Sequence, residues 1–173
     1  VDIRGRSNHL KINYRTSKQI FKLSDLLVPD QIVDEDGNSE DRKGIVSTFD
    51  GPEPSINFFN NSQEEISKLS QWLKEITSNK VIHYEEIALL CRTRHHFDKA
   101  IEICKKINFP HIVVSNTSEP KKGFLSIMTM HRSKGLEFRA VAIFSCNYDM
   151  LPLRFALNDA EDEVEKKQKI IFF

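Results

Sequence analysis

Apolar residues follow two rhythms along this chain. Ile87 to Cys91, His111 to Val114, Leu125 to Met130 and Val141 to Ser145 are short, nearly continuous apolar runs, the pattern of strands buried on both faces. Elsewhere the spacing is helical. Ile20, Phe21, Leu23, Leu26 and Leu27 follow a hydroxyl N-cap at Thr16 or Ser17 and stop near Pro29. Ile66, Leu69, Leu73 and Ile76 line one face behind the capping-box pair Ser62 and Glu65, with Trp72 at the flank. Phe97, Ala100, Ile101 and Cys104 form a third such stripe. His9 to Asn13 and Ile56 to Phe59 read as two further strands, Asp34 to Asn38 as a hairpin tip, Asp50 to Pro54 as a break, and Glu161 to Phe173 as a terminal helix. Buried strands alternating with amphipathic helices predict an α/β domain over residues 1–173, with a mainly parallel sheet and helices on both faces. In such sheets ligands collect beyond the C-terminal ends of the strands. Those ends carry Asn13 to Thr16, Arg92 to His96 and Thr129 to Phe138.

Composition narrows the class. A chain of 173 residues that is 39% hydrophobic and 29% charged has the make-up of one globular domain and needs no staples. Its apolar runs are far too short to span a membrane. Three widely spaced cysteines with no Cys-x-x-Cys pair argue against a disulfide framework and a zinc site, and the expectation is a reduced, cytoplasmic protein. Val1-Asp2-Ile3-Arg4 shows neither an initiator Met nor an apolar signal region, as expected of a piece of something longer.

Twenty-five bases balance twenty-five acids, so any polyanion site must be local. The charges are sorted. Six bases face one acid between Val1 and Lys22, eleven acids face two bases between Leu23 and Glu65, and five bases face two acids between Glu119 and Arg139. A charge run by itself is usually a solvated face, so the residue types in the loops must carry the argument.

Tyr14 beside Arg15 pairs a flat aromatic face with a forked, permanent cation, the combination that stacks a base and grips a phosphate. Arg92-Thr93-Arg94 offers two guanidinia and a hydroxyl. Adjacent His95 and His96 lack the face-sharing spacing of a helical metal pair, and no metal site is expected. Thr129, His131, Arg132, Ser133 and Lys134 crowd one strand end, with Gly135 permitting close backbone approach and a single acid at Glu137. Hydroxyls, amides and cations suit a phosphate chain, and a helix N-terminus here would add free amides.

These three loops resemble motifs of the UvrD-like superfamily 1 helicases, in the second of their two RecA-like motor domains. Leu10 to Ile20, with Asn13-Tyr14-Arg15-Thr16, is similar to motif IV; Ile87 to Arg94 to the strand and loop called IVa; and Ile127 to Phe138 to motif V. They occur in family order. The resemblance implies a RecA-like three-layer fold, and a motor domain of an ATP-dependent DNA helicase that uses ATP and Mg2+. It implies that Tyr14 stacks near the adenine, that Arg15 reaches the γ-phosphate as the catalytic residue, and that Lys134, Gly135 and Glu137 complete the nucleotide side. Single-stranded DNA contacts are implied at Arg92, Thr93, Thr129 and His131, and at Arg94, where Asn is usual in the family.

The chain contains no phosphate loop and no acidic magnesium motif, and it ends before the Thr-Arg of motif VI. The resemblance therefore implies a partner in the missing first motor domain, single-stranded or partly duplex DNA as substrate, and a fragment inactive alone. Only Ser115 to Gly123 stands where larger members insert an accessory domain, which implies a short form. The alternative reading is a helicase-like ATPase that remodels a protein partner such as RNA polymerase.

Overall fold

The computed structural model describes residues 12–25, 31–33, 39–41 and 46–147. They belong to two compact units, Val1–Asn57 and Phe58–Phe173. The first contains, in chain order, β1 (Ile12–Asn13), α1 (Lys18–Asp25), β2 (Gln31–Val33), β3 (Ser39–Asp41) and β4 (Val46–Ser47). β1 pairs with β4 in parallel. β2 and β3 form the expected hairpin, Gln31 opposite Asp41, although its tip, residues 34–38, lies outside the described residues. So do residues 9–11 of the expected first strand, the helix positions Leu26 and Leu27, and the expected terminal helix. Ser17 proves to be the N-cap of α1, its Oγ accepting the Ile20 N–H at 3.4 Å.

The second unit contains α2 (Ser62–Ser78), β5 (Ile87–Cys91), α3 (Phe97–Lys106), β6 (His111–Val113), β7 (Leu125–Thr129) and β8 (Ala140–Ile143). The four strands run parallel in the order β6-β7-β5-β8, the α/β architecture of a RecA-like domain. Alternation along the strands divides the core. Ile87, Leu89 and Cys91 of β5 with Leu125 and Ile127 of β7 meet Ile66 and Leu73 of α2 and Ala100, Ile103 and Cys104 of α3. Ala88, Leu90 and Met128 point the other way. There, among the described residues, the cover is Ile112 and Val114 beside β6 together with Met130, Leu136 and Phe138 from the segment after β7. Full burial of each Leu or Ile here is worth about 1.5–3 kcal/mol, which is why both rows of β5 are apolar.

Two local expectations are corrected. The cap of α2 is Asn61 rather than Ser62: its side chain accepts the Glu64 N–H at 2.9 Å, and Glu64 reaches back to the Asn60 N–H at 3.1 Å. That shift of one residue releases Glu65 for another role. Ile56 to Phe59 forms no strand; Ile56 and Phe58 are 69% and 92% exposed, so their apolarity reflects no burial within the described residues.

Burial raises the thiol pKa of Cys91 to about 11 and that of Cys104 to about 12, leaving both protonated and unreactive at neutral pH. At the centre of β7, Ser126 is fully buried and its Oγ has no hydrogen-bond partner among the described residues. Replacing a stranded hydroxyl by a methyl group removes its desolvation cost. Ser126→Ala is therefore expected to stabilise the chain by about 1 kcal/mol, read as a higher urea midpoint; a lower midpoint would show that the hydroxyl is satisfied.

Candidate functional site

In the first unit the side chain of Asn13 builds the turn that presents Tyr14 and Arg15. Its Oδ1 accepts the N–H groups of Arg15 at 2.8 Å and Thr16 at 3.2 Å, while its Nδ2 donates to Thr16 Oγ1 at 2.5 Å. This is an Asx turn, in which a side-chain carbonyl substitutes for a backbone acceptor. Tyr14 stands 68% exposed and Arg15 is exposed beside it. The base of the turn is clasped from β4 onward: Lys18 N–H donates to Phe49 O at 3.0 Å, Gly51 N–H to Gln19 Oε1 at 2.8 Å, and Ser47 Oγ to Thr16 O. A Cβ on Gly51 would lie 2.9 Å from Ser17 Cβ, so the clasp requires glycine there. Lys18 also pairs with Asp50 at 3.0 Å, which holds that carboxyl below its usual pKa.

In the second unit, parallel pairing brings two of the loops together. Cys91, the last residue of β5, lies in register with Thr129, the last of β7, and Met130 N–H donates to Cys91 O at 2.9 Å. Arg92 and Thr93 thus leave the sheet beside Thr129, Met130 and His131. Arg94 to His96 form one turn of 3₁₀ helix, and Arg94 is exposed.

After β7 the chain forms turns. The helix N-terminus expected after this strand is absent from residues 130–138. Thr129 Oγ1 accepts the Arg132 N–H at 3.2 Å, Thr129 O accepts the Ser133 N–H at 3.1 Å, and Ser133 Oγ donates to Met130 O at 2.8 Å. Gly135 takes φ +83°, the left-handed region that suits glycine. Met130, Leu136 and Phe138 anchor the turns on the sheet, while His131, Lys134 and Glu137 are exposed.

Several of the charges between Glu119 and Arg139 are engaged in the fold. Arg132 Nε donates to Ser115 O at 3.1 Å and its Nη2 to Glu119 at 2.5 Å. Arg139 Nη1 donates to Val81 O at 2.7 Å and pairs with Glu86 at 3.2 Å. The His83 backbone N–H and Arg139 together hold Glu86 below its usual pKa. Lys121 lies 4.9 Å from the centre of the Phe124 ring. The crowd of donors at this strand end is thus largely satisfied internally. The side chains of His131 and Lys134 have no hydrogen-bond or ion-pair partner among the described residues, and with Asn116 and Arg132 they line an open cavity of about 370 Å³.

Sequence reasoning missed a buried cluster on the other side of β5. Glu65 accepts the Ser145 N–H at 2.7 Å and Lys99 Nζ at 2.7 Å, and Lys99 donates to Ser145 Oγ at 2.9 Å. Ser145 follows β8 with φ +56°. His96 lies against this group, and desolvation, then the Lys99 charge, lowers its pKa. A charged residue one turn into an amphipathic helix gives no sequence signal of such a role, and the capping-box pattern had assigned Glu65 elsewhere. Among the described residues no three His, Cys, Asp or Glu side chains gather into a metal-binding group, and no helix is long and apolar enough to cross a membrane.

Residues 8–122 match the model of the UvrD-like helicase C-terminal domain. The chain belongs to that family. An ATP-dependent DNA helicase Rep from Buchnera aphidicola subsp. Schizaphis graminum (strain Sg) is 29% identical over 160 residues, covering 90% of this chain and 21% of the helicase. This UvrD-like domain therefore spans about a fifth of that relative's length. No solved structure matches the chain. The family match ends before β7, whereas the likeness to the Rep helicase covers 90% of this chain.

Proposed function

We propose that this domain is the second motor half of an ATP-dependent DNA helicase, supplying one wall of a nucleotide site and a grip on single-stranded DNA. The observation that supports it most is the register of β5 with β7, which sets Arg92 and Thr93 beside Thr129 and His131. A guanidinium, hydroxyls and backbone amides on two neighbouring loops can follow a phosphate chain without reading sequence. Arg94 extends the same edge. Tyr14 stacks on a base and Arg15 stabilises charge developing on the γ-phosphate, as an exposed ring and guanidinium on a rigid turn can do. Lys134, Gly135 and Glu137 join loop to nucleotide, the acid serving a ribose hydroxyl.

The groups this turn offers to ATP are the exposed Tyr14 ring and the Arg15 guanidinium. Mg2+ finds no acidic cluster among the described residues. Phosphoryl transfer needs groups outside this chain, and alone the chain turns over no ATP. In the full-length protein, Arg92→Ala is expected to raise the oligonucleotide concentration for half-maximal ATPase stimulation about tenfold at moderate salt, and to flatten the salt dependence of binding by about one unit. Wild-type values in both measurements would remove this edge from the DNA path.

A further inference from the structure

The connection between β6 and β7 is more than a link. Ser115 and Ser118 close a small antiparallel bridge, and its hydroxyls are used within it: Ser118 Oγ donates to Val113 O at 2.8 Å, the Ser115 N–H donates to Ser118 Oγ at 2.9 Å, and Ser115 Oγ lies 3.1 Å from Thr117 Oγ1. Arg132 reaches across from the turns after β7 and holds both ends of this connection, through Ser115 O and Glu119. Beside the clasp lies a shallow, open depression of about 370 Å³, lined by Asn116 on one side and by His131, Arg132 and Lys134 on the other. Glu119 answers the Arg132 charge. Lys134 supplies an ammonium, and the side chains of Asn116 and His131 have no partners among the described residues. One ammonium beside an amide donor suits a single phosphate group, and the depression opens beside the residues assigned to DNA.

We propose that the Ser115–Ser118 turn is a wall of the nucleic-acid site, where Asn116 donates to a backbone phosphate that Lys134 also holds, and that Arg132 is a positioning residue setting the gap between the walls. This rests on the reading that the turns after β7 meet DNA. Nothing in it depends on base identity, so the ligand is the phosphodiester backbone.

The test is binding of a fluorescein-labelled oligothymidylate to the full-length protein across a salt series, with folding checked by thermal melts. Asn116→Ala and Arg132→Lys both conserve charge. Each is expected to weaken binding about fivefold, the scale of one neutral hydrogen bond, while the salt slope stays at the wild-type value. Lys134→Ala and Arg92→Ala should instead flatten the slope by about one unit each. Wild-type affinity in Asn116→Ala, with Lys134→Ala and Arg92→Ala behaving as stated, overturns the role of the connection and leaves the DNA reading standing. Wild-type affinity in Arg132→Lys alone overturns the positioning role. Wild-type binding in all four variants removes the DNA reading and the connection with it.

Discussion

Arg15→Ala in the full-length protein is expected to lower ATP turnover by roughly a hundredfold or more, the scale lost when a preorganised charge donor is taken from a transition state. The turn explains why the effect should be kinetic. Asn13 and Thr16 fix the backbone around position 15 through three hydrogen bonds that involve no atom of the Arg15 side chain, so its truncation leaves those three bonds in place. The KM for ATP should change far less than kcat if the guanidinium acts mainly on developing charge. Steady-state turnover at saturating DNA measures both. A loss smaller than threefold would reduce Arg15 to a surface cation.

The largest expected effect on stability comes from Glu65→Ala. The Glu65 and Lys99 side chains are 16% and 19% exposed, and removing one partner of a largely buried pair costs about 3 kcal/mol because the other charge is left without compensation. Ser145 loses the acceptor of its N–H in the same step, at a residue whose left-handed backbone depends on its surroundings. Urea denaturation should show a lower midpoint with an unchanged slope. A loss below about 1 kcal/mol, the range of exposed pairs, would show that water screens the group.

The β-α-β rhythm was legible because β5 and β7 are apolar on both faces, and period alone distinguishes them from α2 and α3. Strand ends shifted by a residue or two where regular strand geometry stops before burial does, as at Val114, which is buried beyond the end of β6. Ile56 to Phe59 misled for the converse reason: apolar residues imply a strand only where a neighbouring strand supplies hydrogen bonds, and no local sequence reports that. At the site, the residue types in the loops were readable, but their use was not. Arg132 and Lys134 are two residues apart and both basic, yet one is spent on Ser115 and Glu119 and the other is exposed to ligand. That division is set by residues 13 and 17 positions away along the chain, beyond the reach of any motif.

The strand order also bears on how the polypeptide is made. Both neighbours of β5, namely β7 and β8, are synthesised after it, and β6 pairs with β7 alone. A nascent chain that has emerged only to residue 122, where the family match ends, carries Ile87–Cys91 and His111–Val113 with no strand of their own sheet to pair with. Parallel pairing across long separations is slow, and unpaired apolar strands are prone to aggregate. The second unit can close only after about twenty further residues have left the ribosome, so the limit of the family match falls inside the folding unit rather than at its edge.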